Sequence, residues 1–146
     1  MAIHRLVVAL AESLGDQEKV SATADDIYRA LSGISPAIHA LIAEQTHTVV
    51  GAAIFFLTFS TWRGNRGVYL QDIYLDPQLR GAGCGKQLIA SVASWAAAHD
   101  ADHLRLSVDS NNKAAQSFYE SMGMAYCEKE MIYQISGDAF ASLETL

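Results

Sequence analysis

Seven consecutive residues, Arg80-Gly81-Ala82-Gly83-Cys84-Gly85-Lys86, have the types and spacing most suited to chemistry in this chain. They follow a strand-like run, Val68 to Leu75, closed by the turn Asp76-Pro77. They open a helix-like run, Lys86 to His99. A strand, a glycine-rich turn and a helix in that order present backbone N–H groups to an anion. The first four N–H groups of a helix lack partners within it, and the helix dipole favours negative charge there. Gly81, Gly83 and Gly85 let the backbone bend and let a phosphate come close. The segment therefore reads as a cradle for a phosphate-bearing ligand.

A second group lies downstream. The alternating run His103-Leu104-Arg105-Leu106-Ser107-Val108 is followed by Asn112, Ala115, Phe118-Tyr119 and Gly123. A phenol, with a reference pKa of about 10, stays protonated at neutral pH and can donate a proton. Asn112 also suits the cap of a helix starting at Lys113, and Tyr119 also suits an amphipathic core position.

Two common phosphate loops do not fit. The pattern G-x-x-x-x-G-K-[ST] needs glycine where Arg80 stands and serine or threonine where Gln87 stands; G-x-G-x-x-G needs glycine where Lys86 stands. What remains is Arg-x-x-Gly-x-Gly over Arg80, Gly83 and Gly85. This resembles the acetyl-CoA loop of the GNAT superfamily of N-acetyltransferases. Asn112-x-x-Ala115-x-x-x-Tyr119, placed after a strand and ended by a glycine, resembles the second half of the same signature. The segment Phe56-Leu57-Thr58-Phe59-Ser60-Thr61-Trp62, followed by Tyr69-Leu70-Gln71-Asp72-Ile73-Tyr74, is similar to the spermidine/spermine and thialysine acetyltransferase branch. Where that branch carries glutamate this chain has Gln71, and the branch's acidic and aromatic residues after the first helix align near Ser13 and Leu14.

The resemblance implies transfer of an acetyl group from acetyl-CoA to a primary amine of a small, polyamine- or amino-acid-like molecule, in a ternary complex and without a metal. It places Ile73, Tyr74 and Leu75 along the pantetheine arm. Arg80, Gly81, Ala82, Gly83, Cys84, Gly85 and Lys86 would lie around the pyrophosphate, with Asn112 and Ala115 also at the cofactor. Tyr119 matches the family tyrosine that protonates the departing thiolate. Gln71 and Asp72 stand where the amine proton would leave, but an amide cannot accept a proton at neutral pH. Asp72, Glu128, Glu130 and water therefore all stay open as the base. No histidine is placed to partner Cys84 as a nucleophile, so it is read as filler. Phe59 and Trp62 are candidates to line the acceptor site or to join the core. A binding module with the fold but weak catalysis, and a protein or peptide N-acetyltransferase, are the alternative readings.

The composition is that of a globular chain and not a disordered one. The 146 residues are 51% hydrophobic and 18% charged, enough for one domain, 1–146, with a substantial core. The net charge of −6 argues against nucleic acid as a partner. Cys84 and Cys127 form no disulfide framework, which makes the cytoplasm the expected compartment. The longest apolar run, Val49 to Leu57, is too short to span a bilayer. The histidines show no metal-ligand spacing.

Apolar periodicity supplies the elements that must position these residues. Ile3, Leu6, Val7, Leu10 and Leu14 predict a helix over 2–14, and Thr23 with Asp26 caps another over 24–31. Strands are expected at 37–43, 48–60 and 68–75, then a helix at 86–99, a strand at 103–108 and a helix at 113–122. Short strands at 125–128 and 131–135 and a final helical turn complete the chain. The order predicts an α/β (α+β layered) architecture, a GNAT-like acetyl-CoA N-acyltransferase fold. Its sheet is mixed and mainly antiparallel, with one βαβ crossover. The family fold begins with a strand, whereas this sequence opens in the first helix, so the sheet is expected to lack its first edge strand and 37–43 should be an exposed edge. Exposed edges pair with other chains, which predicts a homodimer.

Overall fold

The computed structural model describes residues 2–143. They fall into two compact units, one ending at Asp109 and one beginning at Ser110.

The first unit opens with α1 (Ala2–Leu14), whose apolar stripe buries Leu6, and α2 (Ala24–Leu31), which buries Ile27. The capping box of α2 is formed on both sides. The Asp26 N–H donates to Thr23 Oγ1 at 3.2 Å, and the Thr23 N–H donates to Asp26 Oδ2 at 2.9 Å. Three antiparallel strands follow: β1 (His39–Gln45), β2 (Thr48–Ser60) and β3 (Asn65–Leu75). Helix α3 (Cys84–Ala98) then crosses over to β4 (Ala101–Leu106), which lies parallel to β3. The sheet order is β1-β2-β3-β4, a mixed sheet with the expected βαβ unit. Among the described residues β1 pairs with β2 alone and is an edge.

β2 is rich in β-branched and aromatic residues and runs through the centre of the core, buried from Val50 to Phe55. Helix α1 packs on β2 and β3, and α3 reaches all four strands. Leu88, Ile89, Val92 and Ala96 of α3 recur at helical spacing and are buried. Phe55, Val68 and Val92 are the largest fully buried side chains. Gly51 has a packing reason: a Cβ there would come within 2.9 Å of both the Leu75 side chain and the Tyr74 carbonyl oxygen.

The second unit holds α4 (Lys113–Glu120) and α5 (Gly137–Leu143). Gly123 has φ +85°, the left-handed conformation expected just past a helix end. The strands expected at 125–128 and 131–135 are not present. Tyr126, Met131, Ile132 and Tyr133 are exposed, and the only backbone hydrogen bond recorded within 125–135 is a turn from Glu130 N–H to Cys127 O. Local alternation makes a segment able to be a strand. A neighbour must still accept and donate along its backbone, and among the described residues this segment pairs with none.

Candidate active site

β3 is irregular where the candidate residues sit. Ile54 of β2 faces Asp72, but the adjacent Phe55 faces Leu70, so Gln71 is an extra residue without a partner: a β-bulge. On the other side of β3, pairing with β4 ends at Leu70 opposite Leu106. From Gln71 to Leu75 the strand therefore keeps β2 on one flank and leaves the flank toward β4 unpaired. The Asp76 N–H donates to Val50 O at 2.8 Å. By strand alternation Ile73 and Leu75 then turn their N–H and C=O groups away from β2, into the open flank. Such an edge can accept an extended, amide-bearing chain as if it were another strand.

The glycine-rich turn stands at the end of this strand. After a short 3-10 turn over Pro77–Leu79, Gly81 and Gly83 take φ of +82° and +87°, and α3 starts at Cys84. A Cβ on either glycine would meet no atom within 4 Å, so they are required for their backbone conformation and the space above them is open. The Gln87 N–H is the first to close a helical bond, to Gly83 O at 3.1 Å. Among the described residues, the N–H groups from Gly81 through Lys86 donate to no protein acceptor. Free donors at the N-terminus of a 15-residue helix form a surface suited to an anion.

Arg80 has a further role. Its Nε donates to Leu75 O at 3.1 Å, and its guanidinium lies 5.8 Å from the centre of the Tyr74 ring. It fastens the turn to the end of β3, and its Nη groups are not spent on that bond. Cys84 is half-buried in the first helical position, and Lys86 is exposed.

Gln71 is exposed and Asp72 is half-buried. Burial raises the Asp72 carboxyl above the ordinary aspartate range, which makes it a better proton acceptor near neutrality. In the second unit Asn112 caps α4, its Oδ1 accepting the Ala115 N–H at 3.1 Å. The Ala115 N–H is thus used within the helix. Tyr119 is half-buried, burial raises its phenol above the usual value, and no hydrogen bond of its hydroxyl is recorded among the described residues. Glu128 and Glu130 are exposed.

Phe59 and Trp62 part company. Trp62 is 99% exposed on the β2–β3 turn. Phe59 lines a pocket of 310 Å³ with Thr58, Ser60, Tyr69, His103 and Arg105. Except for Phe59, sequence reasoning did not single out this group as a site, because it draws on three strands whose register no local pattern reveals. Among the described residues no cluster of three or more His, Cys, Asp or Glu could hold a metal ion, and no helix is long and apolar enough to cross a membrane.

The model of the acetyltransferase (GNAT) family matches residues 6–124. This chain belongs to the GNAT family. A relative of this GNAT acetyltransferase is a thialysine N-epsilon-acetyltransferase of Bos taurus, 36% identical over 97% of this chain and 89% of the relative. An L-ornithine N5-acetyltransferase of Arabidopsis thaliana is 29% identical over 67% of this chain and 43% of its own length. An integron cassette protein from the mobile metagenome of V. cholerae has the same fold, with a TM-score of 0.79 at 21% identity over 99% of this chain and 90% of its own.

Proposed function

We propose that this GNAT enzyme moves the acetyl group of acetyl-CoA to a primary amine of a small, polyamine- or amino-acid-like molecule. The observation that carries the reading is the continuity of two donor surfaces along one stretch of chain, the end of β3 and the turn into α3. The unpaired flank of β3 at 71–75 runs into the free N–H groups of 81–86. The first suits the pantetheine arm and the second the pyrophosphate, with Ile73, Tyr74, Leu75 and Asn112 at the arm. The amine nitrogen attacks the thioester carbon and a C–N bond forms. An N–H of the Ile73–Leu75 stretch stabilises the developing oxyanion. The C–S bond breaks and Tyr119 protonates the thiolate. Asp72 accepts the amine proton, directly or through a water that Gln71 orients. Cys84 takes no part as a nucleophile. The chain works as a single domain in the cytoplasm and as a homodimer joined through the β1 edge.

The test is a CoA-release assay across small amines and peptides. Release with small amines supports the reading. Tight acetyl-CoA binding without release on any amine makes the chain a binding module, and faster release with peptides makes it a protein acetyltransferase.

A further inference from the structure

We propose that the Tyr69 and Ser107 hydroxyls form a tether that fixes where β3 and β4 part, and so positions the open flank of β3 for the pantetheine arm of the donor. Both are positioning residues: they act through the backbone of the two strands and not on the reacting atoms. The inference rests on the donor placement proposed above and adds the two side chains that hold it.

Position comes first. Tyr69 faces Arg105 in the parallel register, and Leu70 faces Leu106 in the last pair of that ladder. Ser107 is the first residue past the end of β4. The bond between the two hydroxyls, 2.6 Å long, therefore lies at the last rungs before the strands separate. Two residues beyond Tyr69, the bulge at Gln71 opens the stretch whose flank toward β4 is unpaired. Anchorage comes second. Tyr69 is the cross-strand partner of Phe56 on β2, and their rings stack with 5.3 Å between centroids and 26° between planes. Stacking against a neighbouring strand restricts the phenol, so its hydroxyl is a fixed point to which the chain leaving β4 is tied. The third consideration is energetic. The end of a ladder frays, because its last rungs have support on one side alone. A ligand arm that enters between two strands binds less tightly when the fork must be ordered at the same moment. A tether made before the arm arrives removes that cost.

Calorimetry tests it with two probes: CoA, and 3′-phospho-ADP, which is CoA without its pantetheine arm. The proteins are the wild type, Tyr69→Phe, Ser107→Ala, the double variant and Ser107→Thr. Tyr69→Phe keeps the ring and its stack on Phe56, so it removes the hydroxyl alone. CoA should bind each of Tyr69→Phe and Ser107→Ala about 2- to 10-fold more weakly than the wild type, the range of one net hydrogen bond. The nucleotide without the arm should bind every variant as it binds the wild type, a separation that general loosening of the fold would not produce. The double variant should be no weaker than either single one, as for two groups acting through one contact. Ser107→Thr, which keeps a hydroxyl, should bind CoA as the wild type does. Unchanged CoA affinity, an equal loss for both probes, or additive losses in the double variant overturns the inference while the donor placement stands. If the wild type binds CoA no more tightly than the nucleotide, or binds neither, the donor placement itself fails and the inference falls with it.

Discussion

Asp72 and Tyr119 are both pushed toward their neutral forms by burial, with opposite consequences for their proposed work. A base must be ionised to act. With the Asp72 pKa raised, activity should fall on the acid side at a pH above the ordinary aspartate range, and Asp72→Asn should abolish that limb and lower kcat/KM. The stability sign follows from the same shift. A carboxyl whose folded pKa is raised favours the fold while protonated, and that advantage is lost as pH rises through the folded pKa. Asp72→Asn should therefore be more stable than the wild type at neutral pH and equal to it at low pH, as denaturant titration would reveal. An acid must be protonated to act, and the raised phenol keeps Tyr119 so across the neutral range. Tyr119→Phe should slow turnover by about 10²–10⁴-fold, the usual weight of a positioned acid, with acetyl-CoA affinity nearly unchanged. An unaltered rate would remove Tyr119 from the role.

The elements show where local chemistry and backbone conformation disagree. The β1–β2 hairpin turns through Thr46 and His47, with φ of +48° and +62° between the pair Gln45 and Thr48. Positive φ at both central residues is the geometry of a two-residue hairpin that favours Asn-Gly. Left-handed backbone costs an L-residue roughly 1–2 kcal/mol, and a β-branched threonine is poorly suited to it. Replacing Thr46-His47 with Asn-Gly should raise the melting temperature by several degrees without changing kcat, since the turn carries no site residue. No rise in calorimetry would mean that the turn relaxes at little cost. The bulge at Gln71 shows the reverse case, an irregularity kept where the strand leaves its β4 neighbour.

At the scale of the whole molecule the question is what covers β1. Its outer flank is unpaired among the described residues, and Ile42 on it is 47% exposed. If a second copy pairs there, Ile42→Lys should convert a dimer to a monomer, because an edge lysine blocks strand addition. Sedimentation of the two proteins would show it, and a monomeric wild type would exclude the β1 interface.

The chain's residues alone determined whatever depends on neighbours in sequence. The capping box of Thr23 and Asp26, the helical stripe of α3 and the turn from Arg80 to Lys86 could be read directly, because each depends on residue types a few positions apart in sequence. The family signature could be read for the same reason, as two short blocks in order. Tertiary structure decided what depends on register. Only the pairing of Ile54 with Asp72 and Phe55 with Leu70 makes Gln71 a bulge, and only the end of β4 at Leu106 opens the flank of β3. The same physics explains the misread tail: 125–128 and 131–135 alternate like strands, yet among the described residues no neighbouring backbone pairs with them. It also explains why Arg105 and Phe59, 46 residues apart, line one pocket that no local pattern announces. A side chain's type is written in the sequence, but its neighbours across a sheet are set by long-range pairing, which balances backbone hydrogen bonds and burial over the whole fold.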